Sequence, residues 1–163
     1  MIVQNNILPN NIANELEEAL SSPHFPWFFQ PFKVSTTKQE DPRLCQFTHV
    51  FFIDNKNNSP HFALVEPILT FIKPRALIRI KANLTVGNVD QLQSGMHTDS
   101  EYEDGKTAIY YVNSNNGYTI FEEDNKKIYS EKNKLVTFQS TKKHCGVTCS
   151  DRNIRIVLNF NYF

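Results

Sequence analysis

Two stretches of the chain repeat apolar residues at the spacing of an α-helix. Residues 11–21 place apolar side chains three or four positions apart, with Asn10 or Asn11 available as the N-cap. Residues 59–72 carry a longer apolar stripe, with Ser59 as the expected cap and a proline at the first helical position. The pattern predicts one helix over each stretch.

Beyond Pro74 the pattern alternates with the period of two that is typical of strands. We predict strands over residues 76–86, 106–113, 118–123, 126–130, 134–139 and 154–162, with further strand-like runs near 25–35 and 47–53. Many short strands with two helices predict a mainly β (α+β) fold. The expected architecture is a double-stranded β-helix, a jelly-roll or cupin-like barrel, with two supporting helices on one outer face. We expect a single domain over residues 1–163.

The first of these strands has two unlike faces. Arg79, Lys81 and Asn83 point to one side, and the apolar residues between them point to the other. A row of polar side chains on one face of a strand indicates that this face borders either solvent or a polar cavity.

The charge balance narrows the choice of partners. The chain has 17 lysine and arginine residues and 17 aspartate and glutamate residues, so the balanced charge predicts no broad basic surface for nucleic acid.

We find neither a leader-like segment nor an apolar stretch long enough to cross a bilayer, which predicts a cytoplasmic protein without a membrane partner. Three cysteines without a paired spacing suit a reducing compartment. Abundant asparagine and lysine favour a bacterial or phage source.

A candidate metal site begins at His97-Thr98-Asp99. In an extended segment the imidazole and the carboxylate project to the same side and can hold one ion. Such a pair arises readily by chance, so a solvated loop pair is the alternative. His144, much later and just after an apolar strand, adds a second imidazole, and Arg155 follows at the start of the last strand.

These residue types suit one particular chemistry. Two histidines and one carboxylate are the ligand set of non-haem Fe(II) oxygenases, which leave positions open on the metal. An arginine can bind the second carboxylate of an oxo-acid through two parallel hydrogen bonds.

Three further segments of the chain resemble a known family: AIYYVNSNNGYTIFE, NKLVTFQSTKKH and RIVLNFNYF. Together with the His-x-Asp motif they are similar to the 2-oxoglutarate- and Fe(II)-dependent dioxygenases, in particular the small prolyl-4-hydroxylase-like members of bacteria and phages. The resemblance runs from about Ala76 to the C-terminus. It implies His97, Asp99 and His144 as iron ligands and Arg155 as the partner of the distal carboxylate of 2-oxoglutarate. Fe(II), 2-oxoglutarate as co-substrate and O₂ are the implied cofactors.

Four more residues are candidates for the same pocket. Tyr111 and Thr119 could hydrogen-bond the co-substrate, and both also suit a purely structural role as cross-strand residues. Asn83 and Arg79 could line the mouth of the pocket. We assign no catalytic residue beyond the metal site.

Other assignments compete with this one. Arg152 is an alternative to Arg155 as the carboxylate anchor, and we favour Arg155 because it opens an apolar strand. Cys145 and Cys149 beside His144 raise a zinc site, but their spacing matches no structural zinc pattern. We assign structural roles to the remaining histidines, which are His24, His49 and His61.

The resemblance implies a hydroxylase that acts on an unactivated C–H bond. We expect a peptidyl, prolyl-type substrate or a free small molecule, because the acidic segment 100–106 could act as a lid that disfavours nucleic acid. That segment could equally be a solvated turn. The alternatives are a catalytically silent jelly-roll or cupin-like binding module and a cupin-type isomerase or hydrolase, which commonly uses more histidines than this chain offers.

Overall fold

The computed structural model describes residues 1–31 and 41–163. Within them, the helices are α1 (Asn10–Ser21) and α2 (Glu66–Ile72). The strands are β1 (Ile2–Asn5), β2 (Phe28–Gln30), β3 (Gln46–Ile53), β4 (Lys56–Asn57), β5 (Leu77–Val86), β6 (Lys106–Tyr111), β7 (Tyr118–Phe121), β8 (Lys127–Tyr129), β9 (Lys134–Gln139), β10 (His144–Val147) and β11 (Ile154–Tyr162). Two 3₁₀ turns, Pro42–Leu44 and Phe62–Leu64, complete the described elements.

The described strands form two antiparallel sheets. The larger sheet has the order β1-β9-β6-β11-β5-β3-β2, with β4 paired to β3, and the smaller one has the order β10-β7-β8. Residues of both sheets line one cavity. The expected mainly β fold with two helices is confirmed.

The two helices cover one face of the larger sheet. Ala13, Leu16 and Leu20 of α1 and Ile68 of α2 lie in the same core cluster as inward side chains of β5 and β11. Burying a leucine or isoleucine side chain contributes about 1.5–3 kcal/mol, so this layer stabilises the sheet on which the site is built. The opposite face of the sheet is left for the cavity.

The predicted alternation along β5 is confirmed. Ile80 and Ala82 are fully buried on the helix side. Arg79, Lys81 and Asn83 line the cavity on the other side. Of the two settings that the sequence allowed for this polar row, the structure has the polar cavity.

Three expectations about the helices are corrected. Residues 62–64 form a 3₁₀ turn, and the α-helix begins only at Glu66, because Pro67 has no N–H to donate and fits only a first turn. Ser59 caps no helix; its hydroxyl contacts the His49 ring and accepts from the His61 N–H. The first helix also lacks an asparagine cap.

Helix α1 begins directly after Pro9, whose carbonyl accepts a hydrogen bond from the N–H of Ala13.

Strand β1, which the sequence did not predict, pairs with β9 at the edge of the larger sheet. All four of its residues are exposed, so it carries no alternating pattern. The run predicted near residues 25–35 includes β2, and its part from residue 32 lies outside the described residues. None of the described helices has the length and apolar character required to cross a membrane.

Candidate metal centre

A backbone bridge brings the two histidines of the predicted site together. The N–H of His97 donates to the carbonyl of His144, and the N–H of His144 donates back, both at 3.0 Å. Directly opposed residues of an antiparallel pair project their side chains to the same face, and the two ring centroids are 4.8 Å apart. Two residues that lie 47 positions apart in the sequence are thus joined by main-chain hydrogen bonds.

Asp99 completes the cluster. Its N–H donates to the carbonyl of Ser140 at 3.0 Å, which places the carboxylate beside both rings. The potential ligand atoms of His97, Asp99 and His144 all lie within 4.8 Å of one another. Within residues 1–31 and 41–163, no other group of three or more histidine, cysteine or acidic side chains is close enough to share an ion.

Backbone carbonyls orient both imidazoles. Nδ1 of His97 lies 3.2 Å from the carbonyl of Gly95, and Nδ1 of His144 lies 3.0 Å from that of Lys142. Because a carbonyl can only accept, each Nδ1 carries the proton and each Nε2 keeps a lone pair for a metal. Nε2 of His144 is 3.7 Å from Oδ2 of Asp99. Burial lowers the pKa of His144, which favours the neutral, metal-binding form.

Polar side chains hold the Asp99 carboxylate, which is only 4% exposed. The Thr107 hydroxyl donates to Oδ2 at 2.8 Å, and the Asn159 amide donates to the same oxygen at 3.2 Å. Burial raises the pKa of Asp99, but the electrostatic effect of His144 and the Thr107 hydrogen bond outweigh it, so the pKa lies below its ordinary value. Asp99 is therefore ionised at neutral pH.

Arg155 enters the same cavity from β11 and is buried. Its Nε donates to the Ser130 hydroxyl at 2.8 Å, and Nη2 donates to Thr119 Oγ1 at 3.3 Å. In the described chain no carboxylate lies within ion-pair distance of the guanidinium. A Cβ at Gly117 would lie 2.7 Å from Cδ of Arg155, so only glycine allows this close approach. A Cβ at Gly146 would lie 3.6 Å from Nη1 of Arg155, at ordinary contact distance.

The other predicted pocket residues divide into two groups. Thr119, Asn83 and Arg79 line the cavity, whose volume is about 430 Å³. Tyr111 lies behind this wall, fully buried, and its hydroxyl donates to Thr119 at 2.9 Å. Burial raises the pKa of Tyr111 to about 12, so it is a neutral donor. Its hydroxyl reaches the pocket through Thr119, and its ring lies under the Arg155 guanidinium, with 5.7 Å between Cζ and the ring centroid.

The competing assignments do not meet at the site. Arg152 is exposed and lies outside the cavity lining, so Arg155 is the arginine that the fold brings to the cluster. Cys145 packs with Ile120 and Val147 on the face of β10 opposite His144. The Cys149 thiol donates to the carbonyl of Arg152. These positions exclude Cys145 and Cys149 from sharing an ion with His144.

The remaining histidines and the acidic segment also lie outside the cavity lining. His49 packs in an aromatic cluster with Phe25 and Phe51, and its ring contacts Ser59. The segment 100–106 forms a turn that is tied to Ser140, with Ser100 Oγ 2.7 Å from Ser140 Oγ. None of its residues lines the described cavity, and the choice between a lid and a solvated turn stays a prediction.

Several polar residues at the site were not anticipated. Ser130 and Thr107 position Arg155 and Asp99, and no local pattern marks either one. Asn159 and Asn161 had a usable signal, because they interrupt an otherwise apolar last strand at every second position. Asn161 donates to the Thr107 hydroxyl at 3.1 Å. Lys81, already noted on the polar face of β5, has its pKa lowered to about 8 by burial and by the neighbouring Arg79.

The side chains of the cavity fit both Fe(II) and 2-oxoglutarate. Two imidazoles whose Nδ1 atoms are engaged by carbonyls, together with an ionised carboxylate, form the two-histidine, one-carboxylate donor set of non-haem Fe(II) sites. A buried guanidinium without a counter-charge is unfavourable, and a carboxylate of a ligand would supply one. Thr85, which pairs with Arg155 across β5 and β11, has a buried hydroxyl without a hydrogen-bond partner, and it also faces the cavity.

No family model and no curated protein sequence matches the chain. Solved structures match its fold. A prolyl hydroxylase from Trichoplax adhaerens, in complex with a hypoxia inducible factor peptide fragment, has a TM-score of 0.65 at 15% identity, covering 99% of this chain and 82% of that one. A Pseudomonas putida prolyl-4-hydroxylase has a TM-score of 0.58 at 13% identity, covering 99% and 91%. HygX from Streptomyces hygroscopicus, with nickel and 2-oxoglutarate bound, has a TM-score of 0.58 at 11% identity, covering 99% and 81%.

At these identities the likeness defines the fold. The chain has the double-stranded β-helix fold of the 2-oxoglutarate- and Fe(II)-dependent oxygenases, and the predicted fold class is confirmed.

Proposed function

We propose that this protein is an Fe(II)- and 2-oxoglutarate-dependent dioxygenase that hydroxylates an unactivated C–H bond. The observation that carries the proposal is the content of one cavity. It holds a cluster of two imidazoles and an ionised carboxylate together with a buried guanidinium that has no carboxylate partner in the described chain. Neither half alone would distinguish an oxygenase from a structural metal site or a buried polar core.

In this proposal His97, Asp99 and His144 hold Fe(II). The Nδ1 hydrogen bonds to main-chain carbonyls fix the direction of each imidazole before metal binds. Thr107 and Asn159 do the same for the carboxylate. Three protein ligands leave positions for the co-substrate and O₂.

Arg155 binds the distal carboxylate of 2-oxoglutarate. Ser130 and Thr119 hold the guanidinium from one side, which leaves Nη1 to the ligand. The unpartnered Thr85 hydroxyl is available as a second donor to that carboxylate. The Tyr111 hydroxyl occupies one lone pair of Thr119 and so fixes the orientation of that side chain.

When bound, iron, 2-oxoglutarate and O₂ supply the oxidising power, with conversion of 2-oxoglutarate to succinate and CO₂. The chain contributes the geometry and a water-poor wall, since Ile109 and Val157 line the cavity between the polar groups. Asp99 stays ionised and does not transfer a proton.

We propose a peptidyl, prolyl-type side chain or a free small molecule as the substrate. The Trichoplax hydroxylase of similar fold is in complex with a peptide fragment, which supports the first option. The balanced charge of the chain argues against a nucleic acid.

The test is an anaerobic titration with Fe(II) and 2-oxoglutarate that follows the weak visible charge-transfer band of the chelate. We expect the band in the wild-type protein, its loss in His97→Ala and Asp99→Ala, and its weakening in Arg155→Ala. Arg152→Ala is the matched control, because that arginine is exposed and should leave the band unchanged.

Absence of the band in the folded wild-type protein would reject the proposal and favour a catalytically silent binding module. An unchanged band in Arg155→Ala together with its loss in Arg152→Ala would move the carboxylate anchor to Arg152.

A further inference from the structure

The charges that line the cavity are unequal. Arg79, Lys81 and Arg155 are cationic, whereas Asp99 is the acidic side chain among the described lining residues. Fe(II) and the 2-oxoglutarate dianion would cancel each other, so the proposed cofactors leave this imbalance in place. A surplus of positive charge in a partly enclosed cavity favours an anionic occupant.

The Arg79 side chain is held in place next to the candidate metal ligand Asp99. Its Nε and Nη2 donate to Oδ1 of Asn161 at 3.2 and 3.0 Å, and Nη2 lies 3.9 Å from Oδ1 of Asp99. The third nitrogen, Nη1, has no hydrogen-bond partner in the part of the chain that the structure describes. The side chain is 32% exposed, so this edge of the guanidinium is accessible.

Lys81 is the less satisfied of the two cations. It lies two residues from Arg79 on the same face of β5 and lines the cavity. Over the described ranges, its ammonium has neither a hydrogen bond nor a carboxylate within 4.0 Å. A partly buried ammonium of this kind gains free energy when an anion approaches it.

Arg79 and Lys81 lie apart from the site assigned to 2-oxoglutarate. Arg155 pairs with Thr85 on β5, whereas Lys81 pairs with Asn159, beside Asp99. Four residues along a strand correspond to about 13 Å between main-chain positions, and Ser130 and Thr119 hold the Arg155 guanidinium at its own end of the cavity. The cavity therefore has two cationic ends, and the candidate metal ligands lie nearer to Lys81.

We propose that Lys81 and Arg79 bind a carboxylate group of the substrate and hold it near the carbon that is hydroxylated. The inference rests on the function proposed above and names the substrate class of that site. One ammonium and one free guanidinium edge match the two oxygens of a carboxylate and offer less to a phosphate with three terminal oxygens. The carboxylate belongs either to a free amino-acid-like molecule or to an acidic side chain of a peptide.

The test uses protein loaded with Mn(II) in place of iron and saturated with 2-oxoglutarate. Calorimetry first measures Mn(II) and 2-oxoglutarate binding in each sample, and NMR line broadening by Mn(II) then measures the affinity of each probe. The probes are matched pairs: N-acetylproline against N-acetylprolinamide, and N-acetyl-Pro-Glu-amide against N-acetyl-Pro-Gln-amide. N-acetyl-O-phosphoserine amide tests for phosphate.

We expect the acid of at least one pair to bind about tenfold more tightly than its amide. Preference within the first pair assigns a free carboxylate, and preference within the second assigns an acidic side chain. Lys81→Met should remove most of this preference, and Lys81→Arg should restore part of it. Lys126→Met, at an exposed position outside the cavity lining, should keep the wild-type preference.

Three results would overturn the inference. The first is equal binding of acids and amides by wild-type protein that binds Mn(II) and 2-oxoglutarate normally. The second is a Lys81→Met variant that loses 2-oxoglutarate affinity but keeps the preference for acids, which would assign the lysine to the co-substrate. The third is tighter binding of the phosphate probe than of any carboxylate. Failure of Mn(II) or 2-oxoglutarate to bind at all would instead reject the proposed function.

Discussion

Alternate residues of β5 and β11 form two unlike surfaces. The helix side is apolar and fully buried, at 0% exposure: Ile80, Ala82, Leu158 and Phe160. The cavity side carries charged and amide groups: Arg79, Lys81, Asn159 and Asn161. The same two strands thus separate packing from chemistry residue by residue. A register shift of a single residue would exchange the faces, so the helix layer also fixes the register of the site.

The largest effect that we expect on the cavity side is from His144→Ala. Removing one of three ligands should reduce the iron retained after desalting to background and stop succinate formation. Metal analysis and a succinate assay measure the two losses, and the exposed His24→Ala is the matched control. Full retention of iron by a folded His144→Ala protein would contradict the ligand assignment.

On the helix side, Phe160→Ala should lower the free energy of unfolding by about 3–5 kcal/mol, because it leaves a cavity in the apolar core. Asn83→Ala, a truncation on the cavity face of the neighbouring strand, should change it by less than about 1 kcal/mol. Urea denaturation measures both. Equal effects would show that the two faces do not divide stability and chemistry in this way.

Arg155→Ala should leave iron binding largely intact and weaken 2-oxoglutarate binding by more than about 2 kcal/mol. The physical reason is that the desolvated guanidinium and the ligand carboxylate neutralise each other. Calorimetry with the metal-loaded protein gives the affinity. An unchanged affinity in this variant would be evidence against the anchor.

The smallest effect concerns pH and the helix side. Burial, opposed in part by the Pro26 carbonyl, lowers the pKa of His49 from its ordinary value of 6.5. The unfolded chain therefore binds more protons below that value, and the stability contributed by neutral His49 is present above about pH 6.5 and lost as the pH falls. His144 acts in the same sense.

The urea midpoint should therefore fall between about pH 7.5 and about pH 5.5, by less in His49→Gln than in the wild-type protein. His24→Ala should show the full fall. Identical pH profiles for the wild-type protein and His49→Gln would contradict the assignment.

The sequence predicted strands best where alternation is strong. The bounds of β5, β9 and β11 were anticipated within one residue, whereas β1 was missed because exposed edge residues have no burial pattern. The predicted helix over 59–72 was too long, since the apolar stripe continues through residues that a proline keeps out of the α-helix.

For the site, residue type, residue order and the family resemblance together indicated the imidazoles, the carboxylate and the arginine that the fold brings to one cavity. They could not identify the groups that position them. Ser130 meets Arg155, and Thr107 meets Asp99, only after the sheets have assembled. Tyr111 shows the same limit, because its contacts with Thr119 and with the Arg155 guanidinium also form only in the assembled fold.

The bridge between His97 and His144 has a consequence for solubility. The outer edge of β10 would expose unpaired main-chain groups, and such edges recruit other chains. The loop preceding β6 covers it through hydrogen bonds of Ser94 with Gly146 and Leu92 with Thr148, in addition to the bridge itself. In the proposed function a bound ion would add a further tie between this cover and the strand, so prolonged storage without metal should promote aggregation through β10.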